Sequence, residues 1–378
     1  MKIGYFYIKA GNGHYIPAKA MYEKTVEAHG ADSAVLVDFY REAVKDNDNA
    51  EWTQKMWSEL MLRPGREKFE SWLYDHNFLW CKSIHKHFLS RKYKKPFREY
   101  ITETGIDRIV VTNCVAVCIV ASLVRVCKLG IPVYYYCSDL IYCYDFAARD
   151  KDITGFIAPS AECVCDLEKK HASNIVRIPI PIQNQIKNAC VLDTLEAKRR
   201  LGIDEEKFCL LYQLGGEGKG RFGLLELCAR NSLNVNFIIL GRLSEDTQSA
   251  LDEFTSEYPN ISITAPGFVS NVQDYVMASD IVMSQSGLNS IAESLFLGVP
   301  VLLSLLFYVG LPMEAFIKEH GIGFVAVSAQ EQYECIRKLM ADRSILQDCR
   351  RNISKLEFEY DAGKAAEAIF DEMSGYGS

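Results

Sequence analysis

The chain has 378 residues, 49% hydrophobic and 24% charged, the balance of a chain that packs, and its length suits two domains rather than one. A formal net charge of -7 excludes a general nucleic-acid binder, which would be basic. Thirteen cysteines, an odd number spread through apolar runs without a CxxC, read as reduced core thiols, and no metal site is expected.

The opening MKIGYFYIKAGNGH lacks a leader pattern. The most apolar stretch, 109–127, is broken by Thr112, Asn113, Ser122 and Arg125, so a membrane span is not expected and a cytoplasmic location is. β-rich runs at 2–7, 33–38, 107–112, 132–137 and 155–158 alternate with helical patterns such as 17–28 and 115–128. Pro179 and Pro181 exclude helix near 178–188, and the alternation then resumes with strands at 208–213, 236–240, 262–264, 281–284 and 299–304. The pattern predicts an α/β protein with two Rossmann-like, doubly wound parallel domains, 1–183 and 184–378, facing across a cleft. The last helix, about 361–375, is expected to pack back on the first domain.

Ligands of such sheets bind beyond the carboxyl ends of the strands, and three strand-to-helix turns stand out. Ala10-Gly11-Asn12-Gly13-His14, with Pro17 in the following first helical turn, places His14 at a helix N-terminus, where the dipole lowers its pKa and suits it as a general base. The same residues would also make a plain tight turn. Leu214–Arg221, with Gly215, Gly216, Gly218 and Gly220, offers a nest of backbone N–H groups for phosphate, and Lys219 and Arg221 add charge; a merely flexible loop is the alternative. In Ser284-Gln285-Ser286-Gly287-Leu288-Asn289-Ser290-Ile291-Ala292-Glu293, Ser286, Ser290 and Glu293 share one helix face. The helix start and Ser290 would hold a diphosphate, and Glu293 vicinal hydroxyls such as a ribose; a helix with an incidental Glu is the alternative.

At these residues the sequence resembles the monogalactosyldiacylglycerol synthase and processive diacylglycerol glucosyltransferase family. More distantly, it resembles the lipid II-forming N-acetylglucosaminyltransferase, of the same GT-B architecture. GNGHYIPAKAMYEK looks like the family's N-terminal loop and helix, CSDL like its (V/M)TD segment, IPIPI like its linker and LGGEGKG like its phosphate loop. The stretch GFVSNVQDYVMASDIVMSQSGLNSIAESLFLGVPVL looks like the donor-binding region. The resemblance implies an inverting enzyme that needs no metal or other cofactor and uses a UDP-sugar as donor. It implies Phe268 and Val269 beside the uracil, Gly287 to Ser290 at the diphosphate, Glu293 at the ribose, Gly215 and Gly216 near the phosphates, and Gly13 among the residues that bind the nucleotide sugar. His14 would be the base and Asp139 would orient His14 or the acceptor. Two departures affect specificity. Residues 307–314 lack the family's Gln and Asn, leaving Glu314 as the local substitute at the donor sugar, and Cys143 and Phe146 stand where the family tends to carry His and Trp.

The segment 72–98 interleaves Trp72, Tyr74, Phe78, Trp80, Phe88, Tyr93 and Phe97 with Lys82, Lys86, Arg91, Lys92, Lys94, Lys95 and Arg98. It suits an interfacial helix on an anionic membrane surface, here the inner face, or a solvated basic helix whose aromatics pack inward. The expected activity is sugar transfer from UDP to a diacylglycerol-like lipid. The alternatives are a soluble natural-product acceptor, a UDP-N-acetylglucosamine 2-epimerase, or a non-catalytic UDP-sugar binder.

Overall fold

A computed structural model describes residues 1–9, 12–61, 88–213, 222–241, 243–284, 288–304 and 311–375, with the side chains of 57–61 and Leu288 excepted. The chain forms two compact units, one comprising Met1–Trp57, Glu70–Asn184 and Phe358–Ser378, the other Ser58–Phe69 and Gln185–Glu357.

The first unit is built on strands β1 (Ile3–Tyr7), β2 (Ala34–Asp38), β3 (Arg108–Val111), β4 (Val133–Tyr136), β5 (Gly155–Ala158) and β6 (Ile175–Arg177). They pair in the order β2-β1-β3-β4-β5-β6, parallel throughout. Strands reading IGYFY, RIVV and VYYY are apolar on both faces because both faces are covered. Along β1, Ile3, Tyr5 and Tyr7 enter one core and Phe6 the other, the period-2 alternation of a strand. On the first face lie helices α1 (Tyr15–His29) and, last in the chain, Ala362–Ser374. The last helix is tied down by Arg108 Nε donating to the Met373 carbonyl (2.8 Å), by Tyr134 OH donating to Glu372 (2.8 Å) and by His29 stacked on Phe370 at 3.6 Å. The other face carries α2 (Asn47–Met61), α3 (88–104) and α4 (Cys114–Cys127). Asn113 caps α4, its side-chain oxygen accepting from Val115 N and Ala116 N, which satisfies two N–H groups that lack intrahelical partners.

Helix α5 (Asp145–Ala148) and helix α6 (Ala161–Lys169) flank β5, and α7 (Asn184–Lys187) and α8 (Thr194–Leu201) lead into the second sheet. Its strands are β7 (Phe208–Gln213), β8 (Val235–Leu240), β9 (Ser262–Gly267), β10 (Ile281–Ser284), β11 (Val301–Leu303) and β12 (Gly323–Val325), parallel in the order β12-β11-β10-β7-β8-β9. Helices α9 (Gly223–Arg230), α10 (Glu245–Glu257), α11 (Val272–Met277), α12 (Leu288–Phe296), α13 (Leu311–His320), α14 (Ala329–Ala341), α15 (Ser344–Ile353) and α16, the Ala362–Ser374 helix, complete the chain. The two three-residue edge strands, β6 and β12, are absent from the sequence reading. Their residues are half-buried or exposed, so neither shows the apolar run that marks an inner strand. At β12, Gly323 is required by space: a Cβ there would lie 2.1 Å from the Val301 carbonyl oxygen.

Lys198, 1% exposed, reaches from α8 to Asp280 at the head of β10 (3.2 Å), and it also donates to the Lys207 carbonyl (2.7 Å). Asp280 in turn accepts from Cys209 N in β7 (2.8 Å). Removing one member of a buried pair leaves an uncompensated charge, so Lys198→Met is expected to destabilise the second unit by about 3–5 kcal/mol. Denaturant titration checks it, and Lys198→Met combined with Asp280→Asn should recover part of the loss.

Candidate active site

Both sheets reverse strand order at one place, where crevices for ligands open beyond the carboxyl ends. In the first sheet this is between β1 and β3, and in the second between β7 and β10.

At the first switch point the loop after β1 meets the residues that follow β3 and β4. His14 N-caps α1 without a side-chain capping bond. Its ring instead turns to Thr112, with Nδ1 2.8 Å from the Thr112 carbonyl oxygen. The Thr112 hydroxyl donates back to the His14 carbonyl (2.8 Å), and Ser138 Oγ lies 3.2 Å from the same Nδ1. A carbonyl only accepts, so Nδ1 carries the proton, and in the neutral ring the lone pair resides on Nε2. Burial lowers the His14 pKa to about 4, against the Thr112 carbonyl bond, which raises it. The helix dipole is the cause expected from the sequence, but desolvation is the largest one in the structure. Asp139 follows Ser138, and burial pushes its carboxyl up to about 7. Among the described residues it makes no hydrogen bond to His14. Thr112 and Ser138 are site residues that sequence reasoning missed as individuals, although Ser138 lies inside the CSDL segment and Thr112 ends a strand.

In the second unit Phe268 is 88% exposed immediately after β9, at a turn where Gly267 has φ +79°, a conformation open to glycine. Val269 beside it is half-buried. Ser290 and Glu293 lie on α12, Glu293 buried and Ser290 half-buried, with the Ser290 carbonyl accepting from Ser294 Oγ (2.7 Å). Residues 268–269 and α12 therefore follow strands three steps apart in the sheet, about 14 Å, rather than one shared turn. Glu314, in the first turn of α13, is paired with Lys318 (2.6 Å). Gly13 lies in the turn before α1. Gly215, Gly216, Lys219, Arg221, Ser286 and Gly287 lie outside the described residues. The Gln213 and Ser284 ends that precede those two loops are register partners. Among the described residues no group of three or more His, Cys, Asp or Glu side chains could hold a metal ion, and no helix is long and apolar enough to cross a membrane. Of 72–98, residues 72–87 lie outside the described residues. In the rest, Tyr93 and Phe97 are buried in the core while Arg91, Lys92, Lys94, Lys95 and Arg98 face out and Phe88 is 65% exposed.

The shifts have opposite consequences for stability. Unfolding lets His14 bind a proton between its free value of 6.5 and about 4, so its contribution falls as pH drops through that window. Asp139 holds a proton in the folded state between 3.8 and about 7, so its contribution is lost as pH rises through that window. Denaturation from pH 4 to 8 should show the acid-side loss reduced in His14→Gln and the opposite trend reduced in Asp139→Asn. Nitrogen-15 spectra should show a neutral His14 ring protonated on Nδ1 at pH 6.

No protein-family model matches the chain. In sequence it is 21% identical to the processive diacylglycerol β-glucosyltransferase of Bacillus pumilus over 96% of this chain and 92% of the relative. It is 24% identical to that of Bacillus licheniformis over 49% of this chain and 48% of the relative. With monogalactosyldiacylglycerol synthase 1 of Arabidopsis thaliana the identity is 27%, over 51% of this chain and 37% of the relative. The chain thus spans nearly all of the first of these and about half or less of the other two. Among solved structures, MurG of Acinetobacter baumannii aligns with TM-score 0.60 at 13% identity, covering 99% of both chains. HepE of Anabaena, in complex with UDP and glucose, aligns with TM-score 0.58 at 16% identity over 99% of this chain and 100% of that one. The UDP-GlcNAc 2-epimerase of Neisseria meningitidis gives TM-score 0.57 at 12% identity, again over 99% and 100%. Two parallel six-stranded sheets and these solved structures show that the chain has the GT-B fold, and in sequence it is similar to the diacylglycerol glycosyltransferases.

Proposed function

We propose that the chain is an inverting glycosyltransferase that moves a sugar from UDP to a hydroxyl of a diacylglycerol-type lipid without a metal ion. The observation that carries this reading is the His14 ring, held by the Thr112 carbonyl through Nδ1 (2.8 Å) at the sheet's switch point, with Nε2 as the basic nitrogen. Nε2 takes the acceptor's proton as the acceptor oxygen bonds to the anomeric carbon. The bond from that carbon to the diphosphate oxygen breaks, and its electron pair leaves with UDP. Asp139, next to the Ser138 that meets the His14 ring, orients the acceptor hydroxyl or the imidazolium.

For the donor, Phe268 and Val269 flank the uracil, Glu293 takes the ribose, and Ser290 with Ser286, Gly287, Gly215 and Gly216 holds the diphosphate. Lys219, Arg221 and the helix dipole balance the leaving charge in place of a metal. Glu314, now bound to Lys318, would exchange that pairing for a donor hydroxyl. Support for the lipid comes from the relatives, whose names carry diacylglycerol, and from exposed Phe88 beside the cationic face of α3. The fold alone does not separate transferase from epimerase, since both are among its neighbours. The sequence relatives favour the transferase.

His14→Ala is expected to lower turnover about 10²–10⁴-fold, the usual yield of general-base catalysis, and to leave UDP affinity unchanged. Glu293→Ala should do the reverse, weakening UDP by about 1.5–3 kcal/mol in calorimetry. The acid limb of kcat/KM reports the free enzyme's base. An inflection near 4 assigns that role to His14, and one near 7 would transfer it to Asp139.

Vesicles containing anionic lipid should retain the protein at low salt and release it as ionic strength rises. Sedimentation independent of lipid charge, or unaffected by Arg91/Lys94/Arg98→Ser, would favour a soluble acceptor.

A further inference from the structure

The segment between β4 and α5, which carries Asp139, leaves the sheet after Cys137 N donates to the Ile157 carbonyl (3.0 Å) and contains a strained residue. Leu140 has φ +57°, a left-handed conformation costing a non-glycine residue about 1–2 kcal/mol. Ile141 N folds back onto the Asp139 carbonyl at 2.6 Å. Such a conformation persists only where its surroundings over-determine it, and here they come from α6 and the residue that ends it.

Ser160, the N-cap of α6, donates to the Leu140 carbonyl (2.5 Å) while its oxygen also accepts from Cys163 N (3.0 Å). Asp166 accepts from Cys143 N (2.8 Å). Lys170, at the helix's C-cap, does most. Its ammonium donates to the Cys143 carbonyl, pairs with Asp166 (2.7 Å) and Asp145 (3.2 Å), and stands 3.7 Å over the centre of the Tyr142 ring. A lysine at a helix C-terminus is ordinarily a solvated charge that complements the dipole. This one is only 11% exposed, and its neighbour Lys169 takes the solvent position. One withdrawn cation thus grips residues 142, 143 and 145 together. A partly desolvated cation over an aromatic face adds about 1–2 kcal/mol to the ion pairs.

We propose that Lys170 is a positioning residue for Asp139: by clamping the 142–145 turn to α6 it fixes the loop in which Asp139 meets the acceptor. This rests on the reading above, in which that loop faces the acceptor.

The test compares Lys170→Met, which keeps the apolar stem and removes the charge, with Lys170→Arg and with Lys169→Met as control. Lys170→Met should lower kcat on the lipid acceptor about 10–100-fold, as expected for misplacement of a reacting group by an ångström. The KM for UDP-sugar should be unchanged, Lys170→Arg should restore much of the turnover, and Lys169→Met should behave as wild type. Deuterium exchange gives a readout independent of activity. The peptide spanning 138–146 should exchange about tenfold faster in Lys170→Met while the β1 and β3 peptides stay protected. If exchange accelerates but the wild-type protein transfers no sugar to any lipid, the clamp stands and the lipid reading fails. If exchange over 138–146 is unchanged, or if Lys170→Met keeps wild-type kcat, the proposal is overturned. Should Lys170→Met not fold, Asp145→Asn removes one arm of the clamp and should show the same changes at smaller amplitude.

Discussion

The parallel pairing of β1 with β3 is the constraint on which the first unit's chemistry depends. Phe6 lies opposite Val111, so both strands end at one level and the loops that follow them are forced together. Thr112 N donates to the Phe6 carbonyl (3.0 Å), and its hydroxyl reaches the His14 carbonyl. With both faces of the sheet covered by helices, the strand interiors have no access to a ligand. Polar chemistry is confined to the carboxyl ends, and among those to the place where the strand order reverses. The second sheet repeats the arrangement at β7 and β10, braced from below by Lys198 and Asp280, which tie α8, β7 and β10 at the opposite end of the strands.

Burial acts on the two groups of the first unit in opposite directions. It removes charge from each, so a histidine becomes a weaker base and a carboxyl a weaker acid. His14 is left neutral with its proton on a defined nitrogen. Asp139 is left near its titration point at neutral pH, able to take or release charge within the working range. The cost of such an environment is borne by positioned partners, namely the Thr112 carbonyl for the ring and the α6 residues for the loop after Asp139.

The surrounding thiols fit the same environment. Cys114, Cys137 and Cys143 are buried, and burial raises each of them. They stay protonated and pack as small apolar groups. Desolvation by burial is likewise what raises the Asp139 carboxyl.

The inner strands were legible in the sequence because burial on both faces demands continuous apolar runs, and IGYFY, RIVV, VYYY and FCLLYQ supply them. The helix carrying Ser290 and Glu293 was legible because it follows a strand and its spacing sets residues on one face. The three-residue edge strands were not, since half-exposed residues carry no such pattern. Nor were the withdrawal of Lys170 or the Lys198–Asp280 pair, because exposed and buried lysines are spelled alike; the inward turn of Tyr93 and Phe97 was one of two readings the sequence left open. That His14 would be a candidate base followed from its residue type and the turn before it. Which nitrogen is free depended on Thr112, a residue 98 positions away brought to it only by strand pairing, and the lowering of the His14 pKa depended on its burial in the tertiary structure.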